Sequence, residues 1–227
     1  MSDMHRIIIL GGHGKVALLA TRRLHDAGFA VDSLIRDPDQ GDDIRAAGGN
    51  PIVLDIESAS VQDMTGLFGD AAAVVFSAGA GGGSDPDRTR AVDYNAAIRA
   101  MAATEQAGVQ RFIMVSYADA ATDVDRLAPD HSFYPYAKAK HDADAHLRQT
   151  RLDYTILGPA RLTTEPATGQ VQLASEAGDD WPQDKRVTSR GNVAAMIAHV
   201  IQAHAAIRQT VNFYDGTTPL ADVMHPA

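Results

Sequence analysis

Short apolar runs alternate along the chain with longer segments that have a helical spacing of hydrophobic residues. Arg6–Leu10 is a β-branched run, which predicts a strand buried on both faces. Residues 15–27 then place apolar side chains along one helical face, Gly28 is positioned to end that helix, and residues 31–35 return to a strand. The chain therefore begins with a predicted strand, turn, helix and second strand.

The same alternation continues to the C-terminal part of the chain. It predicts strands over residues 51–54, 72–76, 110–115, 154–157 and 210–214, and helices over residues 38–47, 58–68, 85–107, 136–150 and 191–205. Such alternation is typical of an α/β fold, here a Rossmann-like doubly wound parallel sheet with helices on both faces. Residues 160–188, which contain Trp181, lose the rhythm and are expected to form a small substrate-capping region. We expect residues 1–227 to form a single domain that includes this cap.

Composition narrows the classes of partner. The chain has 20 Lys and Arg against 29 Asp and Glu, a net charge of −9, which disfavours nucleic acid and anionic membranes. The absence of cysteine excludes disulfides and thiolate chemistry, and the histidine spacings do not suit a metal site. With no signal peptide or membrane span in the sequence, we expect a cytoplasmic monomer or homodimer that acts on a small molecule.

A glycine-rich turn connects the first strand to the first helix. Gly11, Gly12, Gly14 and Ala17 fit both G-x-G-x-x-A and G-x-x-G-x-x-A, two spacings used to bind dinucleotides. Glycines let backbone N–H groups approach a phosphate at a helix N-terminus, and the alanine lets the helix lie close to the strand. In this context the motif predicts a dinucleotide site, and its phosphate-side residues would be Gly11, Gly12, His13, Gly14, Lys15 and Val16. For His13 the backbone is expected to matter more than the ring.

The end of the second strand indicates which nicotinamide cofactor binds. An acidic side chain there accepts from the ribose 2′-OH of NAD, whereas an arginine accommodates the 2′-phosphate of NADP. Arg36 occupies this position and Asp37 follows it. We therefore expect NADP rather than NAD. Asp37 could instead hold a ribose hydroxyl, and Arg36 could be a solvated surface residue.

Other cofactor contacts are predicted where the third, fourth and sixth strands end, because ligands of open α/β sheets bind at the carboxyl ends of strands. Asp55 could hold an adenine amine or serve equally well as a turn aspartate. The glycine run at 79–83 could be a plain surface loop or a mobile flap beside the cofactor. The residues predicted at these strand ends are Asp55, Ile56, Ser77, Ala78, Gly79, Pro159 and Ala160.

Candidate catalytic residues follow from one helical spacing. Tyr136 and Lys140 lie four residues apart, which puts both side chains on one face of a helix. An ammonium lowers the pKa of a nearby phenol, which can then exchange a proton with a carbonyl or alcohol, and Ser116 could hold the same oxygen. Tyr134 and Lys138 have the same spacing, but Pro135 favours a helix start that leaves Tyr134 outside. Lys140 could also bind the nicotinamide ribose, and Tyr136 could simply anchor the helix.

These features resemble the atypical short-chain dehydrogenases/reductases that bind NAD(P), the group around NmrA-like and biliverdin-reductase-B-like proteins. The resemblance spans nearly the whole chain and is more specific in its middle and C-terminal segments than in the glycine turn. It is carried by GGHGKV at 11–16, LIRDP at 34–38, VLD at 53–55, VDYN at 92–95, AK at 139–140, LDYTIL at 152–157 and FYDGTTPL at 213–220.

The resemblance implies a Rossmann fold, NADP held by the turn, Arg36 and Asp55, and the family lysine and tyrosine at Lys140 and Tyr136. Two departures stand out: Gly158 where relatives often have arginine, and an acidic insertion at 120–131 between Ser116 and the tyrosine. The expected function is an NADP-dependent oxidoreductase acting on a small carbonyl, quinone or flavin-like substrate. The alternatives are a non-catalytic NADP(H)-sensing regulator of the NmrA-like type and a sugar-nucleotide epimerase, the latter disfavoured because the region after residue 158 looks small.

Overall fold

A computed structural model describes residues 5–81, 84–177 and 182–224. Gly82 and Gly83 of the glycine run and Trp181 of the cap lie outside the described residues. The strands are β1 (Arg6–Leu10), β2 (Ala30–Ile35), β3 (Asn50–Val53), β4 (Ala71–Phe76), β5 (Arg111–Val115), β6 (Asp153–Pro159), β7 (Arg161–Thr163), β8 (Gln170–Leu173), β9 (Val187–Ser189), β10 (Gln209–Asp215) and β11 (Thr218–Pro219).

Helices fill most of the connections between these strands. They are α1 (Lys15–Asp26), α2 (Gly41–Ala46), α3 (Val61–Phe68), α4 (Pro86–Thr89), α5 (Ala97–Gln106), α6 (Asp123–Arg126), α7 (Tyr134–Gln149), α8 (Ala174–Ala177), α9 (Arg190–Gln202) and α10 (Leu220–Val223). A π-helical stretch, Arg90–Ala96, joins α4 to α5, and short 3₁₀ turns occupy Pro38–Gln40 and Gln183–Lys185.

The main sheet has the order β11-β8-β10-β6-β5-β4-β1-β2-β3 within the described chain. The seven strands from β10 to β3 are parallel, as expected for a doubly wound sheet, and the order reverses direction between β1 and β4. In such sheets this switch point is where ligands bind. The predicted parallel sheet is confirmed, and it has an additional edge that was not predicted, in which β8 is antiparallel to both β10 and β11.

The core lies on both faces of the sheet, and β1 shows how its sequence specifies this. Ile7 and Ile9 pack into the cluster formed with α1 and α9, whereas Ile8 and Leu10 pack into the cluster formed with α3, α5 and α7. All four side chains are fully buried. An unbroken apolar run is therefore required where helices cover both faces.

Three segments differ from their predictions. The helix predicted over 85–107 contains the π-helical stretch, and the cap predicted as irregular over 160–188 includes β7, β8, α8 and β9. The strand β8 joins the main sheet, while β7 and β9 form a separate parallel pair. Helix α7 begins at Tyr134 rather than after it, with Phe133 as its N-cap residue, because proline is tolerated at the second helical position as well as the first.

Among the described residues, no helix is both long and apolar enough to cross a membrane.

Candidate active site

The glycine turn is pressed between neighbouring strands. Gly11 has a φ of +76°, and a Cβ there would lie 2.6 Å from the Ala78 Cα. A Cβ on Gly12 would lie 2.6 Å from the Cβ of Ser33 on β2. Gly14 is the N-cap residue of α1. The turn can therefore approach these strands only without side chains, and it leaves backbone N–H groups at a helix N-terminus, as a bound pyrophosphate requires.

Two adjoining cavities open beside this turn. The smaller has a volume of about 290 Å³ and the larger about 1280 Å³, and Gly14, Ser77, Ala78 and Gly79 line both. Of the other predicted site residues, the smaller cavity is lined by Gly11, Gly12, His13, Arg36, Asp55 and Ile56, and the larger by Lys15, Val16, Ser116, Tyr136, Lys140, Pro159 and Ala160. The fold thus brings all of the predicted residues to one continuous groove, although their individual roles stay predictions.

The outer end of the smaller cavity carries two guanidinium groups around one carboxylate. Arg36 Nη1 lies 3.3 Å from Glu57 Oε1, and Arg88 Nε lies 3.4 Å from the same oxygen. All three residues line the cavity. Arg36 therefore lines the groove while its side chain is still 59% exposed, and it shares that position with an acidic neighbour that no sequence pattern indicated.

Three other side chains near this end have local partners. The His13 ring turns away to Asp43, with Nε2 2.7 Å from Oδ2, consistent with a role for its backbone alone. Asp37 accepts from the Asp39 N–H at 3.0 Å and caps a 3₁₀ turn, which favours a structural role over ribose binding. Asp55 accepts from the Glu57 N–H at 3.0 Å while still lining the cavity, so the turn role is present and the adenine role stays a prediction.

In the larger cavity, Lys140 forms a buried ion pair. Its Nζ lies 3.0 Å from Asp93 Oδ1, with side-chain exposures of 4% and 0%, and it donates to the Val115 carbonyl at 3.2 Å. The other Asp93 oxygen accepts from the Ala80 N–H at 2.9 Å. Burial lowers the pKa of Lys140, but Asp93, Tyr136 and Asp144 outweigh burial and raise it. Lys140 is therefore a fixed cation linked through Asp93 to the loop after β4.

Tyr136 does not have the lowered pKa that the sequence suggested. Burial raises its pKa, Lys140 lowers it in part, and Asp93 and Asp144 raise it again, so that the net direction is upward. The Lys140 ammonium lies 5.9 Å from the centre of the Tyr136 ring. The expected lowering of the pKa by Lys140 is present but is outweighed, first by burial and then by the carboxylates of Asp93 and Asp144. At neutral pH the phenol keeps its proton.

Ser116 is paired with the carboxylate of Asp144, which was not predicted from the sequence. Its hydroxyl donates to Asp144 Oδ2 at 2.6 Å, and Asp144 is 2% exposed. Burial raises the pKa of Asp144, and the net value is about 6 because this effect exceeds the lowering of the pKa by its polar and charged neighbours. These neighbours are Ser116, Lys140, Arg148 and His141. While this bond exists, the Ser116 proton is unavailable to a substrate oxygen. Tyr136, Lys140 and Asp144 follow each other at four-residue spacing, a signal that could have identified Asp144.

Aromatic side chains form one wall of the larger cavity. The ring centres of Tyr117 and Tyr136 are 5.4 Å apart, and Phe133 lies 5.1 Å from Tyr136 and 5.7 Å from Tyr117. The Tyr117 hydroxyl donates to Asp123 Oδ2 at 3.2 Å, which ties the acidic insertion to this wall. These ring pairs are edge-on or tilted, with interplanar angles of 83°, 39° and 46°, and a wall of such rings offers apolar area to a planar ligand.

Gly158 lies where β6 contacts β10. A Cβ at this position would overlap the Asn212 side chain and would lie 3.3 Å from the Ala118 Cα. Gly158 pairs with Asn212 in the sheet register. The space that an arginine side chain would need on this side is therefore filled by Asn212.

Several residues of the site were not predicted from the sequence, and they differ in whether a sequence pattern could have indicated them. Asp93 falls in the VDYN segment, where a charged residue on a buried helix face could have been recognised as a partner for a buried lysine. The pairing of Glu57 with Arg36 and Arg88 depends on a contact between distant segments and left no local pattern. The same holds for three arginines that line the larger cavity, Arg161 and Arg186 of the cap and Arg190 at the start of α9.

The doubly wound sheet, the glycine turn at its switch point and the groove beside it define a dinucleotide-binding class of protein. The family model described as NAD(P)H-binding matches residues 11–204, and the chain belongs to this family. The sequence is 34% identical to a UPF0659 protein of Schizosaccharomyces pombe, over 94% of this chain and 91% of the relative.

Solved structures agree with this assignment. A Bacillus halodurans protein, provisionally described as an NAD-dependent epimerase/dehydratase, is 31% identical with a TM-score of 0.85, covering 96% of this chain and 98% of that chain. The oxidoreductase ylbE of Lactococcus lactis is 25% identical with a TM-score of 0.79, covering 96% of this chain and 94% of that chain. The Rossmann-like fold and the NAD(P)-binding family expected from the sequence are thus confirmed.

Proposed function

We propose that this protein is an NADP-dependent oxidoreductase that reduces a small carbonyl, quinone or flavin-like substrate. The observation that carries the proposal is the placement of Tyr136 and Lys140 on one face of α7, in a cavity that shares the wall Gly14 and Ser77–Gly79 with the glycine turn. The family membership supports a nicotinamide cofactor, and the aromatic wall suits a planar substrate.

The residues along the groove fit a dinucleotide. Gly12 already donates to the Leu34 carbonyl at 2.8 Å and Gly14 to the Gly11 carbonyl at 2.9 Å. The glycines would therefore let the turn approach the pyrophosphate closely, and the backbone N–H groups at the start of α1 would hold it. The adenosine end would occupy the smaller cavity and the nicotinamide end the larger one. The full proposed contact set is Gly11, Gly12, His13, Gly14, Lys15, Val16, Arg36, Asp55, Ile56, Ser77, Ala78, Gly79, Lys140, Pro159 and Ala160. When bound, the nicotinamide supplies a hydride.

The raised pKa of Tyr136 favours reduction over oxidation. A phenol that keeps its proton at neutral pH can donate that proton to a substrate oxygen as negative charge develops there. Lys140 stabilises the resulting phenolate and is itself held in place by Asp93 at 3.0 Å. In the reverse direction Tyr136 would first have to lose its proton, and the raised pKa makes the phenolate scarce at neutral pH.

Ser116 has a pH-dependent part in this scheme. With Asp144 ionised, the Ser116 hydroxyl donates to Asp144 Oδ2, so it offers a substrate only lone pairs. With Asp144 protonated, below about pH 6, the carboxylic acid can donate to Ser116 and free its proton for a substrate carbonyl. Ser116 therefore assists Tyr136 mainly at mildly acidic pH.

The preference for NADP depends on two cations rather than one. Arg36 and Arg88 both contact Glu57 at the open end of the smaller cavity. A 2′-phosphate arriving there can replace the Glu57 carboxylate as the partner of the guanidinium groups. Charge-assisted, bidentate contacts of this kind are the usual way in which arginine recognises phosphate.

An epimerase is the second candidate, because the B. halodurans relative is provisionally described as an epimerase/dehydratase. The cavity of about 1280 Å³ is large enough that size no longer argues against a sugar nucleotide, contrary to the sequence-based expectation. An epimerase would need Tyr136 to accept a proton from a sugar hydroxyl, which the raised pKa disfavours.

The decisive experiment compares Tyr136→Phe with Tyr134→Phe. Both remove one hydroxyl from the first turns of α7, but only Tyr136 lines the larger cavity. NADPH oxidation by the parent should be measured against quinones, flavins and aldehydes, and NADPH affinity by calorimetry. Tyr136→Phe should lower kcat about 10²–10⁴-fold without loss of NADPH affinity, whereas Tyr134→Phe should behave as the parent.

Other results would lead to other functions. Parental turnover by Tyr136→Phe would rule out proton donation by this tyrosine. Tight NADPH binding with no turnover of any substrate would favour the regulatory alternative. Interconversion of epimeric UDP-sugars by the NAD⁺-loaded protein, measured by product chromatography, would favour the epimerase.

A further inference from the structure

Among the described residues, the cap and the adjoining start of α9 contribute only positive charges to the larger cavity. Their charged lining residues are Arg161 at the start of β7, Arg186 just before β9 and Arg190 at the start of α9. The acidic residues described in the same segment, Glu165, Glu176 and Asp184, are not among the lining residues. In a protein with a net charge of −9, this distribution requires a local explanation.

Two of these arginines have spare hydrogen-bonding capacity. Arg190 Nη1 donates to the Thr163 carbonyl at 2.8 Å, a neutral partner that leaves its charge uncompensated. Arg161 is exposed to the cavity, and within the described residues neither it nor Arg190 forms an ion pair with a carboxylate. Guanidinium groups that line a cavity and have no carboxylate partner among the described residues are suited to an anion that arrives with a ligand.

Their position relates them to the substrate rather than to the adenosine end of the groove. Arg161 follows Pro159 and Ala160 directly, and all three line the cavity that contains Tyr136 and Lys140. None of the arginines of the cap lines the smaller cavity. The parallel strands β7 and β9 pair Arg161 with Val187 at one end and Thr163 with Ser189 at the other. Arg190 follows Ser189 directly. The two cations therefore lie at opposite ends of this short strand pair.

Carboxylates line the same cavity. They are Asp119, Asp123 and Asp130, all from the segment between β5 and α7. A ligand with one anionic end would therefore be oriented, with its acid toward the arginines and away from these aspartates. Coulomb attraction to the arginines and repulsion from the aspartates both contribute to this orientation.

From this arrangement we infer that the substrate carries a carboxylate or phosphate group, which Arg161 and Arg190 bind on the cap side of the cavity. This inference rests on the proposed reductase function and makes it more specific. The acid is bound by the cap, while the group to be reduced is presented to Tyr136. Neutral analogues of such a substrate can still contact the aromatic wall. They lack the acid group that Arg161 and Arg190 would bind, so they should bind more weakly than the acid.

Matched pairs of probes can test the inference without turnover. FMN and riboflavin share one ring and differ by a phosphate, and 4-carboxybenzaldehyde and benzaldehyde differ by a carboxylate. Their affinities should be measured on the protein saturated with NADP⁺, by flavin fluorescence and by calorimetry. In at least one pair the acid should bind about ten- to a hundredfold more tightly than its neutral partner, as expected for a charge-assisted contact.

The variants are Arg161→Gln, Arg190→Gln and a control, Arg22→Gln. Arg22 also donates to a backbone carbonyl, that of Ala46 at 2.6 Å, but it lines neither cavity. Each cap variant should reduce the preference for the acid by about tenfold and leave the neutral member unchanged, whereas the control should keep the full preference. Because Arg190 also supports Thr163, Arg161→Gln provides the test least affected by folding.

Several outcomes would overturn the inference. These are equal affinities within both pairs, a preference that survives in both cap variants, and no binding of either acid at millimolar concentration. A loss of NADP⁺ affinity in the cap variants would instead assign these arginines to the cofactor. A protein that shows the preference but reduces nothing would contradict the proposed function alone, since the affinity ratio does not depend on turnover.

Discussion

Replacing Asp144 by asparagine should change how stability depends on pH. In the folded protein burial raises the pKa of this carboxyl to about 6, whereas an unfolded aspartate has a pKa of about 3.9. The folded state therefore holds the proton more tightly, and its stability falls as pH rises from about 4 to about 6. Above that range the ionised carboxylate costs about 3 kcal/mol, of which about 2 kcal/mol develops between pH 4.5 and 7.5.

Asparagine cannot ionise, so the variant lacks this dependence. Any change in stability that comes from the hydrogen bonds of its amide is the same at both pH values, because an amide does not titrate in this range. Relative to the parent, Asp144→Asn should therefore be about 2 kcal/mol more stable at pH 7.5 than at pH 4.5. In a chain of this size this corresponds to a relative shift in Tm of about 4–8 °C.

The assay is urea denaturation of the parent, Asp144→Asn and Ser116→Ala at the two pH values. Ser116 lowers the pKa of Asp144, so removing its hydroxyl should raise that pKa further and steepen the loss of stability with pH. A difference between parent and Asp144→Asn that does not change with pH would refute the reasoning, since it would mean that the buried carboxylate has an ordinary pKa.

Two further predictions concern the two ends of the groove. Arg36→Ala should weaken NADPH binding by about ten- to a hundredfold in calorimetry and leave NADH nearly unchanged, and Glu57→Gln should strengthen NADPH binding by removing a competing carboxylate. An equal loss for both cofactors would remove Arg36 from the 2′-phosphate site. Asp93→Asn should destabilise the protein by about 3–5 kcal/mol in urea, because it leaves the buried Lys140 charge uncompensated. The double variant with Lys140→Met should recover part of that loss, and strictly additive losses would contradict the pairing.

The fold and the outline of the site could be predicted from local patterns. The β1 run, the glycine turn and the strand-end positions each depend on a few neighbouring residues. These local features were sufficient to predict which residues line the groove. The i, i+4 spacing of Tyr136 and Lys140 was sufficient to place both on the larger cavity. Local rules succeed here because parallel strands bring their carboxyl ends to a common edge.

The electrostatics of the site could not be predicted in the same way. The pKa of Tyr136 depends on Asp93, which reaches Lys140 from a different helix, and on the depth of burial of all three groups. The pairing of Glu57 with Arg36 is likewise set by tertiary contact. The antiparallel edge strand β8 was missed because it is short and lies in a polar segment whose pairing partner, β10, is distant in sequence.

The contact between Gly158 and Asn212 restricts the order in which this chain could evolve. An arginine at position 158 would need the volume that Asn212 fills here. Introduced while Asn212 is present, it would meet the neighbouring strand β10. Substitution of Asn212 by a smaller residue must therefore come first. The two positions are expected to vary together among homologues, and a cofactor-side arginine is accessible to this lineage only through an intermediate that has neither side chain.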